Sequence, residues 1–445
     1  MRAACCRVDI TPVVGTPLGG NVREDNRSRG VHDPLYANFL YLKEKESELL
    51  FIGLDIVGVF GPFVQTIKAK IHQRTGVLPQ QIVLFATHTH SGPDVMESFK
   101  NDYDPLVVHY LEELEKKLVG GAVACLASTW EARLGVGKGN EDSLSFNRRI
   151  WMKDGTLRMN WEGLDPIEVD CPAGPIDPDL FVISIQDVQQ RIRCLVVNFT
   201  LHSAILVGKD WLISRDYIDG LTRALQQQFG EDVVVLFANG AEGNINHINV
   251  RDPYQGRGFE EAERIGSRLA TGVCEVIAGI EYQTDVELQA ITKPIKLPRR
   301  TITHEQVEQA AALLERVNGK IPSLLDGVPE EAYAKEIIAL SKISEPFVQT
   351  ELQVVQLGNL AMVSLPGEFF VEFGLEIKMQ SPFSHTMIIG LANDYIGYVP
   401  TECAFKEGGY EIKTARTSQL LPEAGGLVEE KVMQLLTQLK GGDCL

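Results

Sequence analysis

Residues 82–94 read IVLFATHTHSGPD, and this stretch indicates both the fold and the chemistry of the chain. Its first five residues are apolar and rich in strand-forming types, and a Gly-Pro pair near its end favours a turn. Residues i and i+2 of a strand project to the same face, so His88 and His90 are predicted to emerge side by side where the strand ends. Neutral imidazole is a common ligand of zinc. The spacing therefore predicts a metal site.

Three other interpretations of the histidine pair stay open on spacing alone. Both side chains can simply be hydrogen-bonded in a turn. The metallo-β-lactamase pattern needs Asp two residues after the second histidine, where this chain has Gly92, so that pattern is weakened. The amidohydrolase barrel also places two histidines with this spacing at the end of an early strand.

Length, composition and charge narrow the class of protein. The 445 residues carry a formal charge of −18, which argues against binding to nucleic acid or to an anionic membrane surface. No run approaches the roughly 20 apolar residues of a membrane span, and the first residues lack the apolar core of a signal peptide. The eight cysteines are scattered without a CxxC pair, which predicts neither a disulfide framework nor a cysteine zinc site. We therefore expect a cytoplasmic location and a small-molecule substrate.

Strand and helix patterns alternate along the chain. Residues 36–42 and 49–57 predict a hairpin, residues 81–86 a strand, and residues 63–75, 105–127 and 217–229 predict helices. Residues 135–171 are predicted to be rich in loops. This order is typical of an α/β (mixed α+β) fold with a large mixed sheet flanked by helices. Residues 1–445 are predicted to form one catalytic domain, and residues 284–350 an insertion or subdomain within it.

Polar, turn-forming residues follow several of the predicted strands. They include the histidine pair, His202, the loop 239–244 and the segment 393–395, and Glu368 lies where another strand meets a helix. Ligands of α/β proteins bind where the carboxyl ends of strands meet. The sequence therefore predicts a zinc site at the strand ends. Alone, His202 is as typical of a buried structural histidine, and Glu368 of a charge at a helix start.

Together, these segments resemble the neutral (non-lysosomal) ceramidase family, specifically its N-terminal catalytic domain. The motifs that carry the resemblance run from one end of the chain to the other: VDITP at 8–12, THTHSGP at 87–93, Asn147-Arg148, LISRDY at 212–217, LPGE at 365–368, NDYIGYVPT at 393–401 and GYE at 409–411. The family's ceramidases also have a signal peptide and a C-terminal β-sandwich domain, and we expect this chain to lack both.

The resemblance implies a zinc ion and a set of site residues. Zinc would be held by His88, His202, Glu368 and Tyr398. His90 would bond the substrate or the reacting oxygen, and Arg148 and Tyr410 would bind the scissile group and its neighbours. Zinc lowers the pKa of a bound water to about 7, which makes hydroxide available at neutral pH.

One position departs from the family pattern in a way that bears on chemistry. The ceramidases carry Gly-Asp-x-Ser-Pro-Asn with an active-site serine, whereas residues 241–246 here read AEGNIN. Asn244 stands in place of the serine. A carboxamide cannot serve as an acyl-accepting nucleophile, but zinc-activated water remains available, and the Asn244 amide is able to donate a hydrogen bond to an oxyanion.

We therefore predict a zinc-dependent hydrolase that cleaves an amide bond, or an ester or lactone, in a small soluble or N-acyl substrate. One alternative is a neutral ceramidase that hydrolyses N-acylsphingosine. Another is a non-catalytic zinc-binding or ligand-sensing protein, which the lost serine suggests. The sequence does not indicate an oligomeric state.

Overall fold

The computed structural model describes residues 1–22, 25–96, 104–206, 211–252, 254–322, 324 and 327–441. Its strands are β1 Arg2–Asp9, β2 Gly30–Val31, β3 Tyr36–Glu44, β4 Ser47–Leu54, β5 Ile82–Ala86, β6 Trp130–Asn140, β7 Phe146–Asn147, β8 Arg149–Met152, β9 Leu157–Met159, β10 Val169–Pro172, β11 Asp179–Asp187, β12 Ile192–Phe199, β13 Leu212–Ile213, β14 Val234–Asn239, β15 Ile245–Asn246, β16 Tyr282–Gln283, β17 Leu288–Pro298, β18 Phe347–Leu357, β19 Leu360–Ser364, β20 Glu368–Phe369, β21 His385–Ile389 and β22 Tyr398–Val399. Its α-helices are α1 Gly61–Thr75, α2 Pro105–Leu126, α3 Tyr217–Phe229, α4 Phe259–Ala278, α5 His304–Arg316, α6 Glu330–Leu340, α7 Val371–Gln380, α8 Glu402–Glu407 and α9 Ala424–Leu439.

Two sheets form the centre of the fold. The larger one has the strand order β14-β12-β11-β6-β1-β3-β4-β5, with β16 paired to β6 at one side. Its outer pairs β12–β14 and β4–β5 are parallel, and the pairs between them are antiparallel. The smaller sheet has the order β17-β18-β19-β21, in which only β19 and β21 run parallel. This confirms the predicted mixed sheet.

The buried apolar side chains form four clusters. One cluster lies between the two sheets and joins residues such as Phe51 and Phe85 of the larger sheet to Met362 and Met387 of the smaller one. Helices α1 and α2 cover one half of the outer face of the larger sheet, and α3 and α4 cover the other half. Helices α7 and α9 cover the outer face of the smaller sheet. Because both faces of the central strands are covered, strands such as β5 and β14 read as continuous apolar runs.

Several predicted elements are confirmed with ends that differ by at most three residues. Strands β3 and β4 form the expected hairpin, with Leu42 opposite Leu49. Helix α1 ends where Gly76 adopts a left-handed conformation at φ 86°, which glycine reaches without strain. Helix α3 has the predicted bounds, with seven buried side chains in its thirteen residues.

The expectation of a loop-rich segment at 135–171 is wrong in its first part. Strand β6 runs through Gly135, Gly137 and Gly139 and pairs with β11 from Ala132 to Asn140. A Cβ atom at these positions would lie 2.1–2.6 Å from side-chain atoms of Ile280 or Val276 on the chain segment above. The glycines therefore let α4 and the residues after it pack directly on the strand. Tertiary packing overrides the low strand propensity of glycine here.

Residues 284–350 contain strand β17 and the helix pair α5–α6. Strand β17 pairs with β18 over its full length and so belongs to the smaller sheet, while α5 and α6 contact each other. That this segment is an insertion or subdomain stays a prediction. Among the helices of the described part of the chain, none combines the length and the apolar character needed to cross a bilayer.

The loops that carry the predicted site residues follow parallel strands. His88 and His90 come after β5, His202 after β12, and Glu368 after β19. Because β5, β12, β14, β19 and β21 lie in the two packed sheets, their carboxyl ends converge on one region of the molecule. This convergence brings together His88 and Glu368, which are 280 positions apart in sequence.

Candidate metal centre and active site

The histidine pair lies beyond its strand, not on it. Strand β5 ends at Ala86, and His88 has a left-handed backbone with φ 66°. The prediction that strand pleating aligns the two imidazoles is therefore wrong in its geometry. A tight turn brings them together instead, with ring centroids 5.0 Å apart. Left-handed backbone at a residue other than glycine is uncommon and often marks a functional site.

His88 is oriented by a backbone carbonyl. Its Nδ1 lies 2.5 Å from the carbonyl oxygen of Val57, so Nδ1 carries the proton and Nε2 offers a lone pair. Nε2 lies 3.5 Å from Oε2 of Glu368, and both side chains are almost fully buried. Burial lowers the pKa of His88, but the Glu368 carboxylate outweighs burial and raises it above its ordinary value. A metal cation bound between the two side chains would stabilise the ionised Glu368 carboxylate, as a protonated His88 does.

Glu368 has one satisfied and one unsatisfied oxygen. Oε1 accepts a hydrogen bond from the hydroxyl of Tyr395 at 2.6 Å. Oε2 has no hydrogen-bond partner, although the residue is only 1% exposed. Burial acts to raise the pKa of Glu368, but His88 and Tyr395 lower it to about 2. The residue is therefore an ionised carboxylate with one oxygen aimed at His88.

His202 completes a group of three imidazoles. Its Nε2 lies 3.1 Å from Nε2 of His90, and its ring is 4.5 Å from that of His88. Burial lowers the pKa of His202 well below its ordinary value, and nearby His88 and His90 lower it further. The ring is therefore neutral and able to bind a metal ion through nitrogen.

A second carboxylate, Glu242, lies in the same place and was not selected from the sequence. It follows β14, and neither of its side-chain oxygens has a hydrogen-bond partner although the residue is 0% exposed. Burial, together with Glu368, raises the pKa of Glu242 to about 8. The position of the loop 239–244 at a strand end predicts a site there, but the family pattern indicates Asn244, two residues after Glu242.

The donor atoms of His88, His202, Glu242 and Glu368 fit one divalent cation. They all lie within 4.8 Å of one another, and His90 forms a similar group with the other two histidines. Zinc ligands lie about 2.0–2.2 Å from the ion, which places tetrahedral neighbours roughly 3.3–3.6 Å apart. The distance between His88 Nε2 and Glu368 Oε2, 3.5 Å, is of this size. The buried carboxylates of Glu242 and Glu368 also have oxygens without a hydrogen-bond partner, as expected of ligands to a cation.

Arg148 lies beside this group and is held from two sides. Its Nε donates to Glu411 Oε1 at 3.0 Å and its Nη2 to the backbone carbonyl of Gly243 at 2.5 Å. Its guanidinium lies 4.9 Å from the ring centroid of Tyr410 and 5.4 Å from that of Tyr398. Because Arg148 is only 3% exposed, its position is set by these contacts and not by solvent.

Tyr398 and Tyr410 share a hydrogen bond. Their hydroxyl oxygens are 2.9 Å apart. Burial raises the pKa of Tyr398 well above its ordinary value, and Glu368 adds to this effect; burial raises the pKa of Tyr410 as well. Both phenols therefore keep their protons. Since one proton bridges the pair, the other hydroxyl hydrogen is available to a neighbouring acceptor.

A cavity of about 160 Å³ opens onto the centre. Seven of the eight predicted site residues border it, namely His88, His90, Arg148, His202, Glu368, Tyr398 and Tyr410. Other described wall residues are aromatic, apolar or polar, and include Trp161, Tyr333, Met96, Val57, His247 and Lys413. The metal and catalytic roles assigned to these residues stay predictions, but the structure places all seven around one space.

The structure does not bring the eighth residue, Asn244, to this cavity. Its side-chain carbonyl accepts a hydrogen bond from the backbone N–H of Val371 at 2.8 Å, and its amide donates to Glu372 Oε2 at 3.0 Å. Asn244 is 1% exposed and is not among the described residues that border the cavity. Its side chain caps the start of α7.

Comparison with known proteins agrees with this fold. No family model matches the chain. The chain is 22% identical over 444 residues to neutral ceramidase from Pseudomonas aeruginosa; the match covers 87% of this chain and 64% of the relative, so the chain spans less than two thirds of its length. A crystal structure of neutral ceramidase from Pseudomonas aeruginosa covers 99% of this chain and is itself covered to 74%, with a TM-score of 0.76 and 19% identity.

A second solved structure, described as a ceramidase complexed with C2, gives a similar result. It covers 100% of this chain and is covered to 76%, with a TM-score of 0.73 and 18% identity. The solved structures show the shared fold, and the sequence match extends over most of the chain. The chain is therefore a homologue of neutral ceramidase and shares its fold.

Proposed function

We propose that this protein is a zinc-dependent hydrolase that cleaves an amide bond in a small soluble or N-acyl substrate by metal-activated water. Homology to neutral ceramidase supports a hydrolase of amide bonds. The observation that carries the finer proposal is the buried set of His88, His202 and Glu368, whose donor atoms converge at the floor of a cavity. Two imidazoles and a carboxylate are the protein ligands of many catalytic zinc sites.

Zinc bound by these residues would polarise the scissile carbonyl and make hydroxide available near neutral pH. Side chains of the protein would orient the ligands, bind the substrate and transfer protons. His88 is held in one tautomer by Val57, and Glu368 is held by Tyr395. Tyr398 borders the cavity beside Glu368, and we propose it as a further ligand, one that substrate can displace.

His90, Arg148 and Tyr410 face the space where a substrate would lie. His90 is less buried than His88 or His202, which suits a group that meets substrate and exchanges a proton with the leaving nitrogen. The free hydroxyl hydrogen of the Tyr398–Tyr410 pair is placed to donate to the developing oxyanion. The Arg148 guanidinium packs against the rings of Tyr398 and Tyr410, which limits their orientation. It also adds positive charge near the oxyanion.

The environment of Asn244 supports a direct attack by water. An acyl-enzyme route needs a nucleophile at the serine position of the ceramidases, and this chain has a carboxamide there that is engaged with α7. Hydrolysis through water requires no covalent intermediate. We therefore expect no initial burst of product in pre-steady-state experiments with amide substrate in excess of enzyme.

A second candidate function is the hydrolysis of N-acylsphingosine, which the name of the sequence relative favours. The two candidates share the same centre and differ in the substrate. Parallel assays with fluorescent N-acylsphingosine in detergent micelles and with short, soluble N-acyl amines would separate them. Turnover of the soluble amines alone would support the first candidate, and turnover of N-acylsphingosine alone would support the second.

The test of the proposal combines metal content and activity. Purified protein should contain about one zinc per chain and hydrolyse at least one N-acyl compound in a broad amide panel. His88→Ala and Glu368→Ala should lose both zinc and activity. His304→Ala is the matched control, because His304 is exposed and is not among the described residues that border the cavity. This variant should keep both zinc and activity. Absence of stoichiometric metal, with no stabilisation by added zinc, would overturn the proposal.

A further inference from the structure

We propose that Glu242 is a ligand of the metal in addition to the set expected from the family, on the side of the ion away from the cavity. The inference rests on the proposed metal site and not on the identity of the substrate. It would give the ion two imidazoles and two carboxylates from four separate loops. Tyr398 and water would then compete for the remaining, cavity-facing position.

The first support is geometric. The carboxylate of Glu242 belongs to the same group of donor atoms as His88, His202 and Glu368, all within 4.8 Å of one another. These three partners border the cavity, whereas Glu242 is not among its described wall residues. An ion held by all four would therefore have Glu242 behind it and the cavity in front.

The second support is the lack of any other partner. Both oxygens of Glu242 are buried and have no hydrogen-bond partner, which is unusual because buried polar atoms are nearly always satisfied. Protonation alone does not satisfy the group, since the O–H of a protonated carboxyl also needs an acceptor, and neither oxygen has a hydrogen-bond partner. A bound cation would compensate the charge of the Glu242 carboxylate and give its oxygens a partner.

The third support is charge. Glu242 and Glu368 together carry two negative charges in a region that is at most 1% exposed. Arg148 offsets this charge only in part, because its Nε is paired with Glu411 at 3.0 Å. A divalent cation with two neutral imidazoles and two carboxylates is electrically neutral, so the burial of net charge is avoided.

The backbone also holds Glu242 where it is. The N–H of Gly243 donates to the carbonyl of Phe369 at 2.8 Å, which ties this loop to the residue after Glu368. A Cβ atom at Gly390 would lie 2.8 Å from Oε2 of Glu242, so the carboxylate packs on bare glycine backbone. The two carboxylates are thus positioned relative to each other by their main chains.

The experiment compares Glu242→Gln with Glu372→Gln. Both changes remove one carboxylate charge while keeping side-chain shape, but Glu372 lies outside the donor group and bonds Asn244. Zinc affinity is measured by competition with a chromophoric chelator, and metal content by mass spectrometry. We expect Glu242→Gln to bind zinc at least about tenfold more weakly than the wild type, and Glu372→Gln to stay within about threefold.

Cobalt substitution distinguishes a metal ligand from a residue that only orients the ligands. The visible spectrum of bound Co²⁺ depends on the number and type of ligands, so it should change in Glu242→Gln and not in Glu372→Gln. If Glu242→Gln fails to fold, Glu242→Asp keeps the charge but shortens the side chain, and it should also weaken zinc binding and change the cobalt spectrum. Unchanged zinc affinity and an unchanged cobalt spectrum in a folded Glu242→Gln would overturn the inference. Metal binding without amide hydrolysis would instead overturn the proposed function alone.

Discussion

The amide of Asn244 donates a hydrogen bond to the carboxylate of Glu372 at 3.0 Å, and its carbonyl accepts from the Val371 N–H at 2.8 Å. The residue that replaces the serine of the ceramidases is therefore tied to the first turn of α7. A side chain whose donor and acceptor are both engaged in this way is built into the structure, and its loss should affect folding more than chemistry.

We predict that Asn244→Ala lowers the free energy of unfolding by about 1–3 kcal/mol, because it leaves the buried Val371 N–H and Glu372 without their partner. The value of kcat/KM should fall less than about tenfold. Urea denaturation followed by circular dichroism measures the first effect and amide hydrolysis the second. A loss of activity of several hundredfold with unchanged stability would show that Asn244 acts on the substrate.

The hydroxyl pair of Tyr398 and Tyr410 allows a test of oxyanion stabilisation. Tyr410→Phe should lower kcat by about 10²–10³-fold, the usual loss when one oxyanion donor is removed, while zinc content stays unchanged. Tyr333→Phe is the matched control, because Tyr333 also borders the cavity and loses only a hydroxyl. Equal losses in the two variants would mean that pocket shape, and not the hydrogen bond, sets the rate.

Much of the fold follows from local sequence. Apolar runs bounded by turn residues predict the β3–β4 hairpin, and helical spacing ending at glycine predicts α1. Strand β6 shows where this approach fails. Its alternate glycines suggest a loop, and only the packing of Ile280 and Val276 against the strand explains them. That contact joins residues about 140 positions apart, so no local pattern contains it.

The candidate site is likewise predictable from the sequence only in part. His88, His202 and Glu368 are predictable because each follows an apolar run that ends in a turn, and the resemblance adds Tyr398. Glu242 also follows such a run, but a single glutamate in a loop is an ordinary surface residue. Its burial against Gly390 and its distance to the other donors are properties of the assembled sheets. They are therefore visible only in three dimensions.

Tyr395 is predicted to act on the metal through Glu368. Its hydroxyl donates to Glu368 Oε1 at 2.6 Å and so orients Oε2 toward His88. Tyr395→Phe should weaken zinc binding by about 10–100-fold, as is typical for loss of a group that orients a ligand. Chelator competition gives the affinity. Tyr282→Phe removes a hydroxyl that bonds Ser184 outside the centre, and its zinc affinity should match the wild type.

Glu411 is predicted to be one of the most sensitive positions for stability. It pairs with Arg148 at 3.0 Å and with Arg149 at 3.1 Å and is 0% exposed. Glu411→Ala leaves buried positive charge without this partner, which costs about 3–5 kcal/mol. Glu330→Ala removes an exposed partner of Lys413 and should cost less than about 1 kcal/mol. Urea denaturation of both variants would contradict this account if their losses were equal.

His247 is predicted to make the protein sensitive to acid. It borders the cavity and is buried, and burial lowers its pKa to about 4, while Glu261 only partly opposes this effect. In the unfolded chain a histidine takes up its proton near pH 6.5. Between about pH 6.5 and 4, the unfolded state therefore binds more protons than the folded state, and stability falls as the pH falls.

His247→Gln removes this titration. The unfolding free energy of the wild type relative to His247→Gln should be highest above about pH 6.5. It should decline toward pH 4 by no more than about 1.4 kcal/mol per pH unit, the limit for one proton. Urea denaturation at pH 7.5, 6.0 and 4.5 measures this difference, and His109→Gln, at an exposed position on α2, is the control. Because each comparison is made at one pH, the titration of metal ligands cancels between the two proteins. A difference that does not change with pH would show that His247 takes up its proton in the folded state as readily as in the unfolded chain.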